Sequence, residues 1–206
     1  MNQKSIVDKV INHQPTILGG KRFSKYAVLI PLIQKENEMQ ILFEVRAETM
    51  RRQPGEICFP GGRMDRQDST AQAAAIRETT EELGINTTDI ENVYPLDYLV
   101  SPFGMVVYSH VGFIHTPEKM QPNPSEVGEL FTVPLRFFQE TKPKIYKVNL
   151  DIQPEENFPF DLIAGGENYN WRNSTMDEYF YTYDGKVIWG LTAKIITHFI
   201  EILEEA

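Results

Sequence analysis

The sequence predicts an α/β domain, and three observations lead there. Short apolar runs rich in β-branched residues recur along the chain, segments of helical spacing are interspersed among them, and the 206 residues suit one sizeable domain. The start, residues 4–12, sets Ile6, Val7, Val10 and Ile11 on or near one helical face before Pro15 and Gly19-Gly20 break the pattern. Residues 1–25 are therefore expected to form an N-terminal helix and linker. Residues 26–33 and 40–46 read as strands joined by the polar connection 34–38 of a hairpin. A capped helix comes next, because Asp68-Ser69-Thr70-Ala71-Gln72 offers start chemistry, with Ser69 and Gln72 spaced as a capping box, and Gly84 sits where the helix would stop. Further strands are expected at residues 93–100, 106–114 and 130–133. The last element, residues 189–203, carries Leu191, Ile195, Ile196, Phe199, Ile200 and Leu203 at the spacing of a core-packed helix. Residues 138–183 hold several Pro, Gly and Asn and no sustained period, and are expected to form an insertion or a lid over the site. Their aromatic group, Tyr169, Trp171, Tyr179, Phe180, Tyr181 and Tyr183, fits strand and core packing in preference to stacking on a base. All of residues 1–206 are expected to form a single domain.

Composition narrows the function classes. Apolar residues make up 41% and aromatics 11%, enough for a real core, and no run approaches the roughly 18 apolar residues needed to cross a bilayer. The first residues lack an apolar leader, so a cytoplasmic protein without membrane association is expected. A net charge of −9 with no basic stripe argues against nucleic acid as a partner. The single cysteine, Cys58, excludes an intramolecular disulfide and a cysteine zinc site, and reads as a small buried residue. The four histidines show no ligand spacing. The sequence does not decide between a monomer and a homodimer.

Charge patterning singles out one segment. If Ile76 is set at 0° on a helical wheel, Glu81, Glu78 and Glu82 fall at roughly 140°, 200° and 240°, so all three carboxylates share one face. Like charges at this spacing repel, by roughly 0.2–0.5 kcal/mol per pair on an exposed helix and by more where water is scarce. A solvated acidic face is the ordinary reading of E-x-x-E-E. Here a glycine-bounded turn, Phe59-Pro60-Gly61-Gly62, a loop, a capped helix and a terminal Gly make a coherent loop–helix–loop cassette, and a hard divalent cation is the simplest partner for it. Mg²⁺ and Mn²⁺ suit an all-oxygen donor set.

Residues 62–85 resemble the Nudix box, written G-x5-E-x7-R-E-U-x-E-E-x-G-U with U aliphatic. Gly62, Arg77, Glu78, Glu81, Glu82, Gly84 and Ile85 fit; Asp68 stands for the first Glu, eight residues separate it from Arg77, and Thr79 replaces an aliphatic residue. Upstream, Leu42 through Gly62 resembles the signature of coenzyme A pyrophosphatases, L-L-T-x-R-[SA]-x3-R-x3-G-x3-F-P-G-G, with Phe43 and Glu44 where Leu and Thr are usual. That subfamily also tends to carry the longer box. Ser101-Pro102-Phe103-Gly104, residues 129–135 and Ile188-Trp189-Gly190-Leu191-Thr192-Ala193 are weaker landmarks of the same group.

The resemblance implies a Nudix-type α/β/α sandwich with a mixed β-sheet and the acidic helix under the cleft. It also implies hydrolysis of a nucleoside diphosphate derivative with Mg²⁺ or Mn²⁺, with Glu78 and Glu82 as ligands and Glu81 as third ligand or general base. Arg77 flanks the acids and is a candidate to hold one carboxylate. Downstream, Glu126 or Glu129 is a candidate general base. Gly61 and Gly62 would let backbone approach closely. Arg46 and Arg51 are candidates for the 3′-phosphate of coenzyme A, which bidentate Arg pairing suits. The expected reaction is cleavage of coenzyme A or its derivatives to 3′,5′-ADP and 4′-phosphopantetheine. Two alternatives stay open: a Nudix enzyme for another substrate such as ADP-ribose, and a non-catalytic nucleotide-sensing Nudix domain.

Overall fold

The computed structural model describes residues 2–205. Helix α1, Gln3–Val10, starts at Asn2, whose side chain accepts from the Ser5 N–H, and buries none of its residues. Strands β1, Ser24–Lys35, and β2, Glu38–Arg46, form the expected hairpin with Leu32 opposite Ile41. Beyond that pairing the two strands diverge, and two short strands fill the gap. These are β3, Ile57–Cys58, which pairs with β2, and β4, Gly61–Arg63, which pairs with β1. This wedge positions the site, because it sets Cys58 opposite Glu44 and Gly62 opposite Ala27.

Helix α2, Ala71–Leu83, ends on Gly84 at φ 62°, as the Gly predicts. Its start differs from the expected capping box. Thr70, in an extended conformation, is the N-cap and its Oγ1 accepts from the Ala73 N–H at 3.0 Å, one residue later than Ser69. Strands β5, Ile90–Ser101, and β6, Met105–Ile114, are antiparallel, and β6 runs parallel to β1. Strand β7, Val127–Pro134, covers the other edge of β2, and together β1–β7 make a seven-stranded mixed sheet.

Alternation along β1 and β2 divides the interior into two cores. Ala27, Leu29, Ile33 and Leu42 face α2 through Ala74, Ala75 and Leu83. Ile30, Leu32, Ile41 and Phe43 face the opposite side, where they meet Phe138 of α3, Leu135–Glu140, and Ile196, Phe199 and Ile200 of α4, Gly190–Glu205. Burying each Leu, Ile or Phe among them stabilises the fold by roughly 1.5–3 kcal/mol. Sheet faces covered on both sides by helices make the α/β/α sandwich.

Residues 138–183 contain most of a second, three-stranded sheet. It is built from β8, Lys144–Leu150, β9, Ser174–Tyr183, and β10, Lys186–Trp189, in the order β10-β9-β8. Tyr181 of β9 is buried against Phe138 and shares a hydrogen bond with Thr197 of α4 at 2.9 Å. Phe180 stacks on Trp189 with ring centroids 5.7 Å apart. Outside the sheet, Tyr169 and Trp171 pack edge to face, and Trp171 meets Phe158. No helix among the described residues is long and apolar enough to cross a membrane.

Candidate active site

Gly61 and Gly62 bring the β3–β4 wedge onto the acidic face of α2. Gly61 has φ 152°, and a Cβ there would overlap the Ala27 carbonyl and Val28. At Gly62 a Cβ would overlap the Glu78 carboxylate. The close approach lets the Gly61 N–H donate to Glu82 Oε2 at 2.7 Å.

Glu82 is buried, and its carboxyl is held well above the usual range by desolvation first and by Glu44 next, with Glu78 and Glu126 adding to the repulsion. The Gly61 N–H only partly offsets them. Glu44 is just 2% exposed. On β2 it alternates with Phe43 and lies on the face of Leu42, the α2 side of the sheet. Its Oε1 accepts from the Cys58 thiol at 3.2 Å, and its Oε2 has no hydrogen-bond partner. Burial raises the Glu44 carboxyl, the Cys58 hydrogen bond and the Arg46 charge lower it, and Glu126 raises it. Burial and the adjacent Glu44 also raise the Cys58 thiol, so it is a protonated donor and a poor nucleophile.

Arg77 is saturated. Its Nε and Nη2 grip Asp68 in a fork at 3.0 and 2.9 Å, and its Nη1 reaches Glu78 at 3.0 Å and Glu81 at 3.2 Å. Asp68, the irregular position of the box, is thus the anchor of the arginine that spans the acidic face, and that bond lowers its pKa. Glu78 is half-buried and shifted up by desolvation, with Arg77 opposing the shift. Glu81 is the exposed member of the set.

Glu126 arrives from a loop tied to the end of α2. The Gln121 and Asn123 N–H groups donate to the carbonyls of Leu83 and Glu82, both at 2.9 Å, using acceptors that the helix end leaves free. Gly84 permits this, since a Cβ there would overlap the Gln121 carbonyl. Asn123 Nδ2 then holds Glu126 Oε2 at 2.9 Å. Glu129, the other downstream acid, instead pairs with Lys186 at 2.8 Å.

The arginines of the upstream signature are placed differently. Arg46 is half-buried, and its Nε donates to the Arg52 carbonyl at 3.3 Å, bracing the 47–56 loop. Arg51 is exposed on that loop. Sequence reasoning missed Glu44 as part of the site, although its departure from the signature was the available signal. Cys58 is only half-buried, and its thiol acts as a hydrogen-bond donor.

Glu44, Glu78, Glu81, Glu82 and Glu126 form an oxygen-only donor set, the kind a hard divalent cation takes. As they stand, no three acidic, His or Cys side chains among the described residues converge closely enough to ligate one. The buried, unpartnered Glu44 Oε2 is the kind of oxygen donor a hard cation takes.

Comparisons with known proteins converge on one family. A NUDIX domain model matches residues 24–150. The chain is 38% identical over 132 residues to the peroxisomal coenzyme A diphosphatase NUDT7 of Mus musculus, a match covering 62% of this chain and 55% of the mouse protein. It therefore spans little more than half the length of that relative. NudL of Photorhabdus laumondii, described as an uncharacterized Nudix hydrolase, is 32% identical over 170 residues, covering 82% of this chain and 80% of that protein. A solved MutT/nudix family protein from Enterococcus faecalis is 14% identical, with 99% of this chain and 70% of that chain covered at a TM-score of 0.48, too distant to bear on the site. With its matching domain model and its acidic helix locked to a Gly-Gly wedge, this chain belongs to the Nudix hydrolase family.

Proposed function

We propose that the chain hydrolyses the diphosphate bond of coenzyme A or its derivatives, giving 3′,5′-ADP and 4′-phosphopantetheine, with Mg²⁺ or Mn²⁺ as cofactor. The observation that carries this reading is the junction of two motifs: the coenzyme A pyrophosphatase signature closes on Gly61-Gly62, and the Gly61 N–H donates to Glu82 of the acidic helix. The 38% identity to a coenzyme A diphosphatase supports the same substrate class.

Glu78 and Glu82 would hold the cation, with Glu81 as a third ligand. When bound, the cation neutralises the diphosphate and lowers the pKa of a coordinated water. A water oxygen bonds to one phosphorus, the bond from that phosphorus to the bridging oxygen breaks, the bridging oxygen leaves on the other phosphate, and the proton shed by the water passes to a carboxylate. Glu81 and Glu126 are the two candidates for that proton. Glu81 is the exposed acid of the helix, and Glu126 is held beside the cluster by Asn123. Arg77 positions Glu78 and Glu81 from one guanidinium, and the Asp68 fork fixes its plane. Arg51, exposed on its loop, is the better placed of the two signature arginines for the 3′-phosphate, because Arg46 already braces the loop.

Mass spectrometry after incubation with coenzyme A and Mg²⁺ or Mn²⁺ tests the reading, with 3′,5′-ADP and 4′-phosphopantetheine the expected products. Exhaustive chelation is expected to abolish turnover. Efficient cleavage of ADP-ribose with coenzyme A untouched would move the chain to another Nudix substrate class. Full turnover after chelation would remove the cation from the mechanism.

A further inference from the structure

We infer that Glu44 of β2 is a direct ligand of the divalent cation, so that the metal is held between strand and helix and not by the α2 carboxylates alone. The inference rests on the metal-dependent reading above and adds a residue that the Nudix box does not contain.

Three features carry it. First, Glu44 is 2% exposed, yet its Oε2 has no hydrogen-bond partner, while the Cys58 thiol fixes the orientation of the carboxylate by donating to Oε1. Secondly, Glu44 lies on the α2 face of the sheet, the side on which the buried Glu82 carboxylate of that helix accepts from the Gly61 N–H. Thirdly, the nearby cation, Arg46, directs its Nε at the Arg52 carbonyl. A buried carboxylate with one weak thiol donor and a second buried carboxylate beside it is among the least favourable arrangements a fold can contain. A hard cation shared with Glu82 would fill the vacant coordination of Oε2 and turn the repulsion into attraction.

The test measures Mn²⁺ binding without substrate, by calorimetry or by electron paramagnetic resonance, on wild type, Glu44→Gln, Glu44→Thr and Glu82→Gln. Melting temperatures are read with and without Mn²⁺. Both Glu44 variants are expected to lose at least about tenfold in Mn²⁺ affinity. Without metal they are expected to melt no lower than wild type, since a buried ionisable group with an unpartnered oxygen is gone, and Mn²⁺ should raise their melting temperature less. A merely structural Glu44 would show the reverse: a lower metal-free melting temperature and an unchanged Mn²⁺ response. Wild-type affinity in both Glu44 variants, with affinity lost in Glu82→Gln, overturns this inference and leaves the metal reading intact. Absence of Mn²⁺ binding by wild type overturns both. Metal-free melting below wild type in both Glu44 variants also overturns it.

Discussion

Glu82 and Asp89 are buried carboxylates seven residues apart, and their surroundings push them in opposite directions. Asp89 closes the turn after α2, where Thr116 Oγ1 donates at 2.6 Å, the Asn86 N–H at 2.9 Å and Lys119 Nζ at 3.3 Å. These donors lower its pKa to about 2. Glu82 is pushed up by desolvation first and then by three carboxylate neighbours, against one backbone donor. The difference teaches how to tell a structural acid from one kept for a ligand. Both side chains are covered, but desolvation dominates at Glu82 and donated hydrogen bonds dominate at Asp89, and that balance decides the sign.

The largest expected effect tests the Glu82 side of this contrast. Glu82→Gln keeps the shape and can still accept from Gly61 while deleting a charge, so the fold should survive without metal. The rate of diphosphate hydrolysis should fall by at least about 10²-fold, on the order of 3 kcal/mol in the barrier. Steady-state kinetics beside thermal melts separates the two. A near-normal rate with unchanged melting would place Glu82 outside the site and erase the contrast.

The arginines divide in the same way, which sharpens the comparison by a somewhat smaller effect. Arg77 is fully engaged by Asp68, Glu78 and Glu81, whereas Arg51 stands exposed. If Arg51 grips the 3′-phosphate, Arg51→Ala loses a charge-assisted contact of about 1.5–3 kcal/mol on coenzyme A and nothing on 3′-dephospho-coenzyme A. The ratio of the two kcat/KM values should then change by roughly 10- to 150-fold. Equal losses on both substrates would assign Arg51 to the diphosphate or to its loop.

Legibility followed the same divide between local and non-local chemistry. Helix α2 was readable because its caps, its acidic face and Gly84 all lie within one short stretch, and only the cap moved, from Ser69 to Thr70. Strands β3 and β4 are two and three residues long, and exist because β1 and β2 splay apart, an event no local pattern encodes. Strand β8 has six of its seven residues exposed, so it shows no buried alternation, and its partner β9 begins only at Ser174, across a long connection. Glu44 escaped notice for the converse reason. Strand β2 is covered on both faces, so residues 40–44 are all buried and a polar residue there does not mark a solvent face. Asp68 was readable only as a misfit to the box, since its role depends on the reach of Arg77 nine residues away.

The smallest expected effect concerns stability and tests the Asp89 side. A carboxyl whose folded pKa lies below its usual 3.8 contributes stability at neutral pH, and that contribution is lost as pH falls through the folded value of about 2. Asp89→Asn retains an oxygen to accept from Thr116 but loses the charge that attracts Lys119 and strengthens the Asn86 bond. At pH 7 the variant should therefore melt below wild type. Between about pH 4 and pH 2 the gap should narrow, because wild type takes up the proton whose charge the variant already lacks. Melting curves across that window, at fixed ionic strength, check it. A gap that stays constant down to pH 2 would mean that the variant suffers only from altered hydrogen-bond geometry. The ionised state of Asp89 would then contribute nothing, and its donors would no longer explain its side of the contrast with Glu82.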